Sequence, residues 1–458
     1  MNFIRITKGF LFTLTLGFMT LPSASFAQEE VQVLTLDDCI RIALENNLDI
    51  KRAQNNTISA KAFRIQSIAN FLPNLSANLS ESINFGYSFD QTAGRQVNVT
   101  TYQTYPSAQS TVNIFNGLSN INNVRRRTNE LDAAEEAVEA SRVQVRADVL
   151  GAYLNVILDR ENIKISDERV TLLQSQLERE EKRVSVGVSN PESVFNFRSQ
   201  VANEKLVRVQ AENTFRRDKL ALIQMLQLDA TKDYEIEGVS LDDIDVISDV
   251  QPYSEVLASS LNYSPALKRA NFNQQASIYQ FKQAGAARYP NIAVQGQYGS
   301  SYSSNGARDP ITNEHVADAT FRTQMGWNQY KGVGIGINIP IFTRWQTSAN
   351  IQAAKVNMFN AELDVKQAQQ TITNAIQLVY NDLQAAISTY NAAQENIDAL
   401  TQSYNFSQTR YEAGSTDFYT YLESLNNKNR AEIQLANAKY SIVFRKKILD
   451  IYRGIANE

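Results

Sequence analysis

The strongest constraint on this chain is that it contains one unit twice. Leu44, Lys51, Arg52, Ala53, Gln66, Ala69, Pro73 and Asn74 recur 217 positions later as Leu261, Lys268, Arg269, Ala270, Gln283, Ala286, Pro290 and Asn291. From Ile114 onward the offset is 227, so that Phe115, Ala134, Glu135, Val138, Tyr153, Arg183 and Gly187 recur as Phe342, Ala361, Glu362, Val365, Tyr380, Arg410 and Gly414. Two stretches, 44 to 226 and 261 to 453, that keep register across a single ten-residue gap are two copies of one structural unit.

The N-terminus suggests an exported protein. Arg5 and Lys8 precede an apolar run over residues 9 to 19 and a small-residue exit, Ser25-Phe26-Ala27. This is the pattern of a secretory signal peptide, residues 1 to 27, with the mature chain starting near Gln28. The apolar run is shorter than the roughly 20 residues a spanning helix needs, and no later stretch comes closer. Any part of the mature chain that enters a membrane must therefore do so as β-structure.

Composition removes several classes. The formal charge of −4 carries dispersed basic residues, which leaves no footprint for nucleic acid. With one histidine, His315, and one cysteine, Cys39, neither a histidine-rich metal site nor a Cys–His pair can be assembled, and no cofactor or catalytic set is expected. Cys39 reads as a small core hydrophobe. Gly332, Gly334 and Gly336 alternate with Val333, Ile335 and Ile337, which is the period of a strand and not of a phosphate-binding turn before a helix.

Each unit predicts the same order of elements. A helix over residues 36 to 69, capped at Thr35 with Asp37 and Asp38 in its first turn, stops before Pro73. From Asn74 to Phe89 the period changes to two: Leu75, Ala77, Leu79, Ile83, Phe85, Tyr87 and Phe89 share one side, broken by Glu81, and small polar residues share the other. A second strand presents Ala108, Val112 and Ile114, which closes a hairpin over residues 74 to 115. In the second copy the helix spans 253 to 287 and the hairpin 291 to 342, with Ile292, Val294, Gly296 and Tyr298 on one strand and Val333, Ile335, Ile337, Ile339 and Ile341 on the other. The longer loop of this hairpin, 303 to 330, accommodates the ten-residue insertion.

After each hairpin runs a helical pattern of unusual length, 116 to 186 and 344 to 413, ending at Gly187 or Gly414 and followed by a helix of about 40 residues. The opening and final helices together match the long one, so the two shorter helices are expected to stack end to end beside it. Repeat 1 thus covers 28 to 228 and repeat 2 covers 253 to 458, with an acidic linker, 229 to 252, between them. That linker has no ligand spacing of the calcium-loop kind and reads as a solvated connector.

Four strands with one apolar side cannot close a membrane barrel, since these begin at about 8 strands. An open edge in lipid leaves backbone groups unsatisfied at several kcal/mol each, so other copies must complete the sheet to 8, 12 or 16 strands. A coiled-coil scaffold or adhesin would share the long helices but has no use for two hairpins with lipid-compatible sides.

In these features the chain resembles the TolC-like outer membrane efflux protein family. The residues that carry the likeness are Leu34-Thr35-Leu36-Asp37-Asp38-Cys39-Ile40 through Ala43-Leu44-Glu45-Asn46-Asn47, the Leu72-Pro73-Asn74 and Tyr289-Pro290-Asn291 junctions, the exit Ile339-Pro340-Ile341-Phe342, and the Arg-x-x-x-Gly turns at Arg183 and Arg410. The resemblance implies an α+β membrane protein, a long antiparallel α-helical barrel continued by a transmembrane β-barrel. Both would be completed by homotrimerisation, with 4 strands per chain and 12 in the trimer. It further implies an exit duct in outer membrane lipid, reaching into the periplasm, for a tripartite efflux or type I secretion system. Its partners would be a periplasmic adaptor protein and an inner-membrane transporter of RND or ABC type.

By the same likeness the tip that docks the adaptor comprises Arg183, Val186, Gly187, Val188 and Ser189 with Arg410, Ala413, Gly414, Ser415 and Thr416. Tyr411 falls on the tyrosine of the family's periplasmic gate. Thr416 stands where the family has an arginine, Thr420 where it has its first aspartate and Glu423 where it has its second, so Tyr411, Thr420 and Glu423 are the gate candidates.

Overall fold

The computed structural model describes residues 32–90, 92, 94–98, 100–238 and 251–455. The segment expected to be a signal peptide, residues 1 to 27, and residues 239–250 of the acidic linker, with Asp242, Asp243, Asp245 and Asp249, lie outside the described residues. The first unit runs β1 (Gln32–Leu34), α1 (Leu36–Asn46), α2 (Leu48–Ala69), β2 (Ser76–Asn84), β3 (Tyr87–Asp90), β4 (Arg95–Asn98), β5 (Thr101–Asn116), α3 (Ser119–Ser185) and α4 (Pro191–Met225). After β6 (Tyr234–Ile236) the second unit runs α5 (Tyr253–Tyr263), α6 (Pro265–Ala286), β7 (Asn291–Gly299), β8 (Tyr302–Ser303), β9 (Ala307–Arg308), β10 (His315–Val316), α7 (Phe321–Trp327), β11 (Tyr330–Asn338), α8 (Gln346–Glu412) and α9 (Phe418–Arg453).

The duplication is reproduced in element lengths. α1, α2, α3 and α4 have 11, 22, 67 and 35 residues; α5, α6, α8 and α9 have 11, 22, 67 and 36. At 1.5 Å per residue α3 and α8 are each about 100 Å long. The opening helix of each unit is divided where the sequence pattern read as continuous. The Asn47 side chain accepts from the Asp49 and Ile50 amides and starts α2 afresh, while Ser264 precedes Pro265 and is thereby pushed out of helical conformation.

α2 packs on the N-terminal half of α3: Thr57 Oγ1 donates to the Ala134 carbonyl and Arg64 to Thr128. α4 returns along the C-terminal half, with Arg208 paired to Asp167 and Glu204 to Arg169 at 2.9 Å. Leu222, Ile223 and Leu226 at the end of α4 join Cys39, Ile42 and Ile50 of α1 and α2 in one apolar cluster with Val145, Val149 and Tyr153 of α3. End-to-end stacking beside the long helix is therefore observed. That cluster also takes in β1 and β6, a parallel pair that joins the start of the described chain to the segment after repeat 1, with Leu34 opposite Ile236.

The four long strands form one antiparallel sheet in the order β2, β5, β7, β11, the two hairpins being joined through β5 and β7. Helix neighbours follow the same order: α2 lies on α3, α3 on α6, and α6 on α8. Each strand thus continues the helix beside it in sequence, and the chain is an arc of four columns with β2 and β11 as free sheet edges.

Both sides of the sheet are as the period-two pattern predicts. Leu79, Val333, Ile335 and Ile337 are 71, 84, 71 and 62% exposed on the apolar side. The opposite side carries Ser76, Asn78, Gln109, Thr111, Gln295 and Gln297, and no charged residue among the paired positions. Gly332 lies under the Gln297 side chain, whereas Gly334 and Gly336 face open space.

Three details depart from the pattern. β2 stops at Asn84 because Gly86 takes φ +88°, and Tyr87 to Asp90 pair with β4 in a separate hairpin. A bulge between Asn113 and Phe115 makes Phe115, not Ile114, the partner of Ile292. The loop expected over 303 to 330 holds the β9–β10 pair and the helix α7, whose N-cap is Thr320.

Both strand-to-helix junctions use two successive left-handed residues, Gly117 and Leu118 in the first unit and Arg344 and Trp345 in the second. A Cβ on Gly117 would meet the Ala286 carbonyl oxygen at 2.6 Å, so this position also needs glycine for close approach.

Candidate functional site

At the far end of the columns the chain makes two turns of the same build. Five residues, 186 to 190 and 413 to 417, separate α3 from α4 and α8 from α9. In the first turn the Gly187 amide donates to the Val184 carbonyl and the Val188 amide to the Arg183 carbonyl, at 3.0 and 2.9 Å. In the second, Gly414 donates to Tyr411 and Ser415 to Arg410, at 3.0 and 2.8 Å. This is the Schellman arrangement, which needs a left-handed residue just past the helix. Gly187 and Gly414 supply it with φ of +77° and +71°.

Asn190 then caps α4 by accepting from the Glu192 amide, with Pro191 at the first helical position. Asp417 caps α9 by accepting from the Thr420 amide at 2.9 Å, and Thr420 Oγ1 donates to the same carboxylate at 2.8 Å. The outer surface of the first turn is apolar: Val186 is 72% exposed and Val188 67%. Ala413, Gly414 and Ser415 are exposed as well, and Ser189 and Thr416 are half-buried behind them.

Behind the turns the two hairpins are bound to one another. Phe197, Val201, Tyr404, Phe418, Tyr421 and Leu425 form an apolar cluster with Leu173, drawing on α3, α4, α8 and α9. Phe197 meets Phe418 edge-on at 4.6 Å, and Tyr411 stacks on Tyr421 at 5.0 Å between centroids.

A buried carboxylate, Glu180, is the polar centre of this end. Its Oε1 accepts from both Ser189 and Ser193, the latter at 2.6 Å, and its Oε2 lies 3.8 Å from Arg183. Tyr411 bonds to the same carboxylate; burial first, and then the Glu180 charge, push its hydroxyl up to about 12, with Arg183 opposing. Arg183 in turn lies over the Tyr411 ring and donates to the Tyr411 carbonyl at 3.5 Å. Arg179 pairs with Glu412 at 3.5 Å across the same boundary. A cavity of about 240 Å³ remains between Gln176, Arg179, Gln408 and Tyr421.

The structure thus brings Arg183, Ser189 and Tyr411 together, ties Thr420 to its own cap, and leaves Glu423 exposed one turn further along α9. Glu180, Arg179, Phe197 and Phe418 belong to this constellation and were not singled out by sequence. A signal existed: Glu180 stands three residues before Arg183, and the second unit has Ser407 at that place, so the repeat is broken there.

Comparison with known proteins decides the family. Residues 39–227 and 256–447 match the family described as outer membrane efflux protein, one stretch in each unit. The chain belongs to the outer membrane efflux protein family. It is accordingly an outer-membrane protein. This family member is 21% identical to outer membrane protein TolC of Escherichia coli (strain K12) over 314 residues, which are 67% of this chain and 60% of TolC. It is 22% identical to outer membrane efflux protein BepC of Brucella suis biovar 1 (strain 1330) over 331 residues, 72% of this chain and 67% of BepC. The match to TolC therefore spans less than two thirds of that protein's length.

Two solved structures share its fold. The outer membrane protein VceC of Vibrio cholerae superposes with a TM-score of 0.75 at 17% identity, covering 92% of this chain and 96% of VceC. The CmeC outer membrane channel of Campylobacter jejuni gives 0.76 at 18% identity, covering 92% of this chain and 85% of CmeC. At such identities the likeness is one of fold.

Proposed function

We propose that three copies of this chain close into a duct through the outer membrane, extending across the periplasm, for substrates delivered by an inner-membrane transporter of RND or ABC type and a periplasmic adaptor. The reading rests on one observation: a four-column arc whose sheet has free edges at β2 and β11 and whose apolar side is bare. Leaving Leu79, Val333, Ile335 and Ile337 in water forfeits about 1.5–3 kcal/mol for each side chain. Lipid removes that cost on the apolar side, and strands from other copies remove the backbone cost at the edges. Strands β2, β7 and β11 have 9 residues each, within the roughly 9–11 that cross a bilayer. Three copies supply 12 strands, the number expected from the family, and enclose the uncharged polar side as a lumen.

The two turns are the adaptor-docking tip. Val186 and Val188 offer an apolar surface at the end of the molecule, and Gly187 and Gly414 hold the turns open with no atom near their Cα hydrogens. Tyr411, Thr420 and Glu423 lie immediately behind. Exposed Glu423, repeated in three copies, makes a ring whose like charges favour cations and oppose close approach.

The test is an oligomer and conductance measurement. Detergent-extracted protein should have the mass of three chains and open ion-conducting pores in planar bilayers; a monomer that does not conduct overturns the duct. Gly187→Glu and Gly414→Glu should retain the oligomer and lose export, and undiminished export in both removes the adaptor role from the turns.

A further inference from the structure

The polar side of the sheet is bare over the half nearer the helices and covered at the far end. Ser76, Asn78, Gln109, Gln295 and Gln297 are exposed. Thr101 and Gln103 of β5 are only 1 and 7% exposed, although the alternation puts them on that same side, opposite Asn84 and Ser82. At the same level Ile83 and Tyr102, paired on the apolar side, remain 48% exposed each. The cover therefore lies over the polar side.

It is made where the loops of the two units meet. Gly86 ends β2, and beyond it the β3–β4 hairpin reaches the second unit: Thr92 Oγ1 donates to Ser301 Oγ at 3.0 Å, and Arg308 donates to the Gly94 carbonyl at 3.3 Å. Asp90, at the end of β3, is the buried centre of this contact. Its Oδ2 accepts from Ser303 Oγ and from Asn305 Nδ2, the latter at 3.0 Å, and its Oδ1 accepts from the Thr92 amide at 3.0 Å.

The partners of Asp90 fix which side it occupies. Ser303 stands opposite Gln103 in the β5–β8 pairing, and Asn305 Nδ2 also donates to Thr101 Oγ1 at 2.7 Å. Both Gln103 and Thr101 belong to the polar side, so the carboxylate is held over it. His315 steadies Asn305, its Nε2 lying 2.8 Å from the Asn305 carbonyl oxygen, and the buried Gln324 side chain bonds to the Ser303 amide and carbonyl. A buried carboxylate is costly unless hydrogen-bonded, and here the bonds come from both units, so the charge itself fastens one loop to the other. The β3–β4 pair is a separate two-stranded sheet, so releasing Asp90 frees the hairpin without parting the main sheet.

We propose that the β3–β4 hairpin and the segment after β8 form a constriction at the outer mouth of the duct, latched by Asp90 to Ser303 and Asn305, that excludes bulky solutes from the lumen on the cell-exterior side. The inference rests on the duct reading, in which the polar side lines the lumen and three such covers face one another. Loops folded into the lumen plug other membrane barrels in the same manner.

Reporter cysteines read the constriction in cells carrying the full chain, with the unaltered chain as blank because Cys39 is buried. Gln297→Cys lies on the polar side below the cover, and Ile311→Cys in the exposed loop beyond it. A maleimide on a long polyethylene glycol chain, added outside intact cells, should label Ile311→Cys and leave Gln297→Cys almost unlabelled. With Asp90→Ala or Asn305→Ala added, labelling of Gln297→Cys should quicken by at least about fivefold, the factor one net hydrogen bond is worth, while the oligomer persists. Equal rates at the two reporters without a latch substitution, or no labelling at Ile311→Cys, overturn the constriction and leave the duct standing. Unchanged exclusion in both latch variants, or loss of the oligomer in both, overturns Asp90 and Asn305 as its latch. A chain that is monomeric and does not conduct overturns the duct and the constriction with it.

Discussion

The Arg183 guanidinium lies 5.3 Å from the centre of the Tyr411 ring and so fastens the last turn of α3 to the last turn of α8. Arg410, which occupies the Arg183 position in the second unit, is exposed and, among the described residues, its guanidinium reaches the Ser415 carbonyl of its own turn, at 3.5 Å. The duplicated arginines have therefore taken different roles, one holding the two hairpins together and one facing outward.

Glu180 should be the residue on which this fastening depends. Its carboxylate is 2% exposed and serves Ser189, Ser193, Tyr411 and Arg183. Glu180→Ala leaves those donors without their acceptor at a cost of about 1–3 kcal/mol. Hydrogen exchange should show faster amides at both turns while the amides of β5 and β7 are unchanged.

Glycines at turns and junctions should respond differently to alanine. Gly187→Ala and Gly414→Ala meet no atoms, so each should cost only the left-handed conformation, about 1–2 kcal/mol. Gly117→Ala has the same φ penalty and in addition drives a methyl against the Ala286 carbonyl, so its loss should be larger. Melting temperatures of the three variants, measured side by side, check the order.

Stability should depend on pH through Asp159. Burial, and next the neighbouring Asp218 with which it shares a hydrogen bond, raise its carboxyl from 3.8 to about 6. The folded state holds the proton more tightly than the unfolded one, so the stabilising contribution is complete below 3.8 and is lost as pH rises to about 6. Asp159→Asn should flatten the melting temperature across this window and raise it at neutral pH, where the wild-type carboxylate is ionised against Asp218. Thermal scans at stepped pH read both effects.

Cys39 should be chemically silent. It is fully buried in the cluster beneath β1 and β6, and burial pushes its thiol up to about 12. A maleimide should label it only at the rate of unfolding. Cys39→Ser places a hydroxyl among Leu34, Ile42 and Tyr153 and should lower stability by about 1–3 kcal/mol, read as a denaturant midpoint.

The long elements were legible in the sequence because their signals are local and repeated: the period of 3.6 through α3 and α8, the period of two through β2 and β11, and the glycine at each turn. What was not legible depends on distant partners. β1 and β6 are three residues each and pair across about 200 positions of sequence, which no local pattern records. α7 is seven residues within a polar loop and is fixed by Gln324 and Ser300 more than by any apolar stripe. Glu180 has no local sign of burial, since a carboxylate three residues before an arginine is equally at home on a solvated helix surface, and only the meeting of two hairpins buries it. The divisions at Asn47 and Ser264 are made by single capping side chains within a helical pattern that continues on both sides of them.

The shared order of strands and helices limits how such a chain can change. A strand cannot be added, removed or exchanged by itself, because its neighbour in the sheet is also the neighbour of the helix it runs into. The smallest alteration that keeps every edge matched is a whole column from one end of the molecule to the other, and the largest natural unit is the duplicated half.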